Sequence, residues 1–135
     1  MQSVFDPLRK KDVAFTPEEK VRQWFIAFLD KGCGVPVSLM NTEVALKYGK
    51  KSFRADIVVF DRSGAPLMIV ECKRESVAID DEVVRQALRY HAVLGIRYIA
   101  LTNGRSTYIY KKHNDGSFKP LAEFPKYEDM LSCRL

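Results

Sequence analysis

Arg54-Ala55-Asp56-Ile57-Val58-Val59-Phe60 and Leu67-Met68-Ile69-Val70-Glu71-Cys72-Lys73, separated by Asp61-Arg62-Ser63-Gly64-Ala65-Pro66, decide the fold. Each is a short apolar run rich in β-branched residues, and a turn-rich segment lies between them, which is the pattern of two antiparallel strands. Side chains alternate between the faces of a strand, so Glu71 and Lys73 share one face and Cys72 takes the other. Pairing Ile57 to Phe60 with Leu67 to Val70 brings Asp56 near the level of Glu71 on the next strand. A slip of one residue would carry Asp56 to the opposite face, so convergence of the three charges depends on register.

Outward from this pair, an earlier apolar run from Leu39 is set off by the turn Tyr48-Gly49-Lys50-Lys51, completing a three-stranded meander. Upstream, Thr16-Pro17-Glu18-Glu19 is a helix start: an N-cap, a proline in the first turn and a carboxylate three residues after the cap. That helix is expected to run to about Lys31, with Val21, Trp24, Phe25, Phe28 and Leu29 on its apolar face and Gly32 and Gly34 closing it. Downstream, Ile79 to Leu94 has helical spacing, acidic residues Asp80, Asp81 and Glu82 in its first turn, and Gly95 at its end. Arg97 to Thr102 and Thr107 to Lys111 then form two strands across Asn103-Gly104-Arg105-Ser106. Residues 1–15 are expected to be a surface arm, irregular or a short strand. Residues 112–135 form a turn-rich tail with a short helix near Glu128. The order is helix, three strands, helix, two strands: an α/β fold with a central mixed sheet flanked by helices.

The 135 residues, 47% of them hydrophobic, suit one domain with its own core, and no repeat or low-complexity linker divides them. No apolar stretch reaches membrane-spanning length and no secretory leader opens the chain, so a cytoplasmic protein is expected. Cys33, Cys72 and Cys133 lack zinc-site spacing and read as free thiols. Twenty-two Lys and Arg against seventeen Asp and Glu give a net charge of +5, a mild bias toward polyanionic partners.

Asp56, Glu71 and Lys73 are the candidate chemistry. Two carboxylates offer hard oxygen ligands to Mg²⁺, with Mn²⁺ as an alternative, and that ion keeps places for water and a substrate phosphate. A lysine beside them can orient the attacking water or offset charge developing at phosphorus. An ion cluster at a strand end would use the same residue types. The placement favours a site, because Asp56 and Glu71 abut the apolar centre of the sheet, where charge is costly unless paired or metal-bound.

These residues carry a resemblance. Arg54-Ala55-Asp56-Ile57-Val58-Val59, Val70-Glu71-Cys72-Lys73 and Gln86-Ala87-Leu88-Arg89-Tyr90 resemble the PD-(D/E)xK nuclease superfamily, and more closely the nuclease domain at the N-terminus of type I restriction enzyme R subunits. The likeness runs from about Phe5 to Lys111 and includes Thr16 to Gln23 and Leu101-Thr102-Asn103-Gly104. It implies a restriction-endonuclease-like αβββαβ core, Mg²⁺-dependent DNA cleavage, Asp56 and Glu71 as metal ligands and Lys73 as the catalytic lysine. It further implies that Gln86 and Tyr90, four apart on one helical face, sit beside the site, and that the first helix brings a third carboxylate. Glu18 is preferred for that role because Glu19 is engaged as the capping partner of Thr16. A surface glutamine and a half-buried tyrosine are the plainer account of the pair on the second helix. Ala55 replaces the family's proline, and neither a motor's length nor a GxxxxGK[ST] loop is present in these residues, so translocation is not expected of them.

Lys47, Lys50, Lys51, Arg54, Lys73 and Arg74, with Arg85, Arg89 and Arg97, are candidates for a phosphate-contacting rim. His91 and His113 are expected to have ordinary core or surface roles, and Cys72 to be a small buried hydrophobe. The expected partners are DNA and restriction or repair subunits supplied in trans, with homodimerisation left open. The competing reading is a nuclease fold that binds nucleic acid or protein without cutting.

Overall fold

A computed structural model describes residues 2–132. Strands β1 (Ser3–Asp6) and β2 (Lys11–Ala14) form a hairpin, followed by helix α1 (Pro17–Ala27) and a π-helical turn over Phe28–Gly32. Strands β3 (Met40–Tyr48), β4 (Lys51–Phe60) and β5 (Pro66–Cys72) come next, then helix α2 (Asp81–Ala92). Strands β6 (Tyr98–Thr102), β7 (Thr107–Lys112) and β8 (Phe118–Pro120) precede the short helix α3 (Tyr127–Leu131). The main sheet has the order β3-β4-β5-β6-β7-β8. Among the described residues only β5 and β6 are parallel, and α2 forms the crossover between them, as a parallel pair requires.

Helices cover both faces of this sheet. On one side Val21, Phe25 and Leu29 of α1 and its extension pack with Ile57, Val59, Met68, Val70, Tyr98 and Ala100. On the other, Ala87 of α2 packs with Ile99 and Leu101, supported by Val83 and Leu88. The middle strands are buried on both faces, which explains why Ile57 to Val59 and Leu67 to Val70 are continuous apolar runs and not alternating ones. The expected α/β architecture, a mixed sheet between helices, is the one observed.

Several local expectations change. The arm over residues 1–15 is an ordered hairpin with Lys10 in the left-handed region (φ 55°) at its turn. It is tied down by buried Asp6, whose carboxylate accepts from the Leu8 N–H and the Arg9 guanidinium, while Arg9 also pairs with Glu19 at 2.7 Å. The face of α1 turned inward holds Val21, Arg22, Phe25 and Ile26; Trp24 is instead 47% exposed and stacks on Phe28. The tail holds β8 as well as the expected short helix. Cys33 and Cys72 are free and buried, and burial pushes the Cys72 thiol far up, consistent with an inert packing role; Cys133 lies outside the described residues. Among the described residues no helix is long and apolar enough to cross a membrane.

Candidate active site

The register across β4 and β5 is Ile57↔Val70, Val58↔Ile69 and Val59↔Met68, which sets Asp56 level with Glu71 as the sequence suggests. Beyond Ile57 the two strands are not paired. On the other side of β4, Thr42 pairs with Ile57 and Val44 with Ala55, but Glu43, which would face Asp56, lies outside the ladder with a φ of 52°. Alternation slips at this point. Phe53 packs on Tyr90 of α2 at 4.9 Å and Ala55 on Val58, Ile69 and Ile96, whereas Ile57 and Val59 belong to the α1 core. A left-handed non-glycine residue in a strand is strained, and such strain concentrates where it serves a site. Here the irregularity swings the Asp56 carboxylate into the gap between β4 and the end of β5. Its Oδ2 accepts a 2.7 Å hydrogen bond from the Cys72 N–H.

Around this carboxylate the charges interlock. Lys73 Nζ lies 3.1 Å from Glu71 Oε2, and His91 Nε2 lies 3.5 Å from Glu71 Oε1. Arg22, buried on α1, points its guanidinium at three acids: Asp56 at 3.7 Å, and Glu19 and Glu43 at 3.4 Å each. Asp56, Glu71, Lys73 and His91 line a cleft of about 620 Å³ together with Glu18, Arg54 and Arg74. Gln86 and Tyr90 line the adjoining hollow, which shares Glu71 and Lys73 with the first.

The two carboxylates differ electrostatically. Burial pushes the Asp56 carboxyl above its ordinary value; the Cys72 N–H and Arg22 oppose this, and the like charges of Glu71 and Glu18 add to it. Glu71 goes the other way. The His91 imidazole, then Lys73, hold it below the usual carboxylate range against its own desolvation. The His91 contact acts at the outer limit of hydrogen-bonding distance.

The structure thus brings Asp56, Glu71 and Lys73 together and sets Glu18, exposed, on the same wall. Glu19 does not reach the cleft. Its backbone N–H caps on Thr16 Oγ at 3.1 Å, but its side chain turns to Arg9, Arg22 and Gln23 and does not close a capping box. Gln86 bonds Glu82 at 3.1 Å, and the Tyr90 hydroxyl accepts from the Arg54 N–H at 3.3 Å on the edge of β4 that β5 has left open. Tyr90 thus meets β4 two residues from Asp56, and Gln86 lines the hollow beside Glu71 and Lys73. Two residues beside the carboxylates were not expected there, Arg22 and His91. Their signal was positional: Arg22 falls between Val21 and Phe25 on the inward face of α1, and His91 continues the Val83, Ala87 row at intervals of four. His91, expected to play an ordinary part, is 1% exposed and touches the site.

The donor set fits a hard cation. Among the described residues no three His, Cys, Asp or Glu side chains gather closely enough to cage an ion alone. Mg²⁺ does not need that, since it is commonly held by one or two carboxylates with water and substrate phosphate completing the shell. Asp56 is raised first by burial and then by the like charges of Glu71 and Glu18, a cost to its ionised form that a divalent ion would relieve.

A mixed sheet between helices thus carries two acids and a lysine where β4 leaves the end of the parallel β5–β6 pair. The profile of the type I restriction enzyme R protein N terminus matches residues 17–125, and the chain belongs to that family. In structure it is similar to a fragment of a protein described as an HsdR subunit of a type I restriction enzyme from Vibrio vulnificus YJ016, with a TM-score of 0.61 and 20% identity. The match covers 84% of this chain and 24% of that one, so the chain spans about a quarter of that relative's length. No curated protein sequence matches it.

Proposed function

We propose that this chain is a Mg²⁺-dependent DNA endonuclease domain of the type I restriction R-subunit kind, hydrolysing phosphodiester bonds. The observation that carries the reading is the convergence of Asp56, Glu71 and Lys73 in one cleft, beside the strand irregularity that turns Asp56 toward the end of β5. Asp56 and Glu71 would hold the ion, with Mn²⁺ able to replace Mg²⁺ and Glu18 near enough on the cleft wall to contribute through water. The ion would supply polarisation of a phosphoryl oxygen and acidification of water. Lys73, 37% exposed and anchored on Glu71, is free at its remaining N–H groups to orient the attacking water or to offset charge on the phosphorus oxygens. Arg22 holds Asp56 in place from behind. Arg54 and Arg74 on the cleft wall suit flanking phosphates, contacts that position a nucleic acid without reading its sequence.

DNA is the proposed substrate, and other restriction or repair subunits acting in trans are the proposed protein partners. Both follow from family membership. Cleavage of linear, circular and branched DNA, with Mg²⁺ and with chelator, tests the proposal. Mg²⁺-dependent cleavage lost in Lys73→Ala is the expected result. Salt-sensitive DNA binding with no cleavage by the wild type under any metal would establish the non-cutting binding module instead.

A further inference from the structure

His91 is buried at this site, and the reaction assigns it no work. It sits in the last turn of α2, both ring nitrogens are shielded from solvent, and neither makes a hydrogen bond. A shielded imidazole must still carry a hydrogen on at least one nitrogen. The anionic Oε1 of Glu71, 3.5 Å from Nε2, decides which one. With the hydrogen on Nδ1 alone, the Nε2 lone pair would face a carboxylate oxygen and a buried N–H would go unanswered, two penalties at once. With the hydrogen on Nε2, the pair becomes donor and acceptor, and only the weaker need of a bare Nδ1 remains unmet.

We propose that His91 is a positioning residue, its Nε2–H directed at Oε1 of Glu71 so that the carboxylate is fixed between α2 and Lys73. Glu71 then has one oxygen toward the imidazole and the other toward the lysine, and rotation about its terminal bond is blocked at both ends. Groups that orient a ligating carboxylate commonly affect metal affinity ten- to hundredfold. His91 acts through Glu71 and not as a ligand, because its Nε2 is shielded from solvent and faces the Glu71 carboxylate. This rests on the reading of Glu71 as a metal ligand.

Two measurements test it. Long-range ¹H–¹⁵N correlation spectra of the metal-free protein should show the His91 hydrogen on Nε2; an Nδ1–H tautomer with bare Nε2 would overturn the proposal without reference to any metal. Calorimetric titration with Mn²⁺ then compares wild type, Asp56→Ala, His91→Phe and His91→Gln, with thermal melts confirming that each is folded. His91→Phe keeps the ring volume without the donor and should bind about tenfold more weakly or worse, while His91→Gln, which restores an N–H, should stay within about threefold. Loss of affinity in Asp56→Ala but not in His91→Phe would sink the role of His91 alone. Equal loss in His91→Phe and His91→Gln, with melts unchanged, would also refute the donor role. A wild type that binds no Mn²⁺ would remove the metal-site reading and this inference with it.

Discussion

Asp56 is held where its charge is least welcome, and its environment fixes a dependence on pH. Because its folded-state carboxyl binds a proton more tightly than an unfolded one, its contribution to stability is present below the unfolded value of about 3.9 and is lost as pH rises through the raised folded value. Asparagine cannot ionise and can still accept from the Cys72 N–H. Metal-free Asp56→Asn should therefore melt a few degrees (about 2–5 °C) above wild type near neutrality, with the gap closing toward about pH 4. Saturating Mg²⁺ should reverse the order, since an ion at about a hundred times its dissociation constant stabilises the binding protein by about 2.7 kcal/mol. A pH series of melts with and without Mg²⁺ checks both halves; a constant gap at all pH values would refute the assignment. Lys73 makes a different prediction. Its pair with Glu71 is half-exposed, so Lys73→Ala should cost no more than about 1 kcal/mol in folding, yet lower cleavage by about a hundredfold or more while metal binding persists. Denaturant titration beside a cleavage assay decides it, and a variant fully active per folded molecule would remove Lys73 from the chemistry.

At the scale of elements, the site lies where β4 and β5 part company and where α1 and α2 approach the gap from opposite faces of the sheet. α1 contributes Glu18 and Arg22; α2 contributes His91 and, one step away, Gln86 and Tyr90. The tyrosine's role is read from its contacts: its ring lies on Phe53 and its hydroxyl satisfies the Arg54 N–H, an edge donor that β5 no longer covers. Tyr90→Phe keeps the ring and loses that acceptor. We expect a cost of about 0.5–1.5 kcal/mol in folding and a metal affinity within about twofold of wild type. Urea unfolding with calorimetry measures both, and a large loss of metal affinity would move Tyr90 into the metal site proper. The helices themselves were readable from Thr16-Pro17-Glu18-Glu19 and from Asp80 onward, because caps and apolar spacing are local signals. Asp80 proves to be the N-cap of α2, its carboxylate accepting from the Val83 N–H at 2.9 Å. The irregularity at Glu43 was not readable, since no glycine or proline marks it and the partners its side chain meets, Arg22 and Arg54, come from α1 and β4.

For the molecule as a whole, a net charge of +5 surrounds a cleft that is acidic at its centre, so any hold on DNA must come from the basic residues about the rim. With about four phosphate contacts, raising monovalent salt fourfold should weaken duplex binding by about a hundredfold. Fluorescence anisotropy in Ca²⁺, over a series of salt concentrations, gives the slope. A flat dependence would point away from nucleic acid and toward a protein or a small ligand.

Sequence alone determined the two long helices, the three-stranded meander, the strand pair after the second helix and their order, and singled out the Asp56, Glu71 and Lys73 set, since alternation, caps and turns are properties of neighbours along the chain; the register that levels Asp56 with Glu71, the opening hairpin and β8 came only with the structure. It also held the family likeness. Only the tertiary structure decided which way Asp56 turns, that Glu18 and not Glu19 faces the cleft, and that Arg22 and His91 stand behind the two carboxylates. Those outcomes depend on residues brought together from α1, β3, β5 and α2, and a buried charge takes its partners from whatever the fold places within a few ångströms, however far apart they lie in sequence.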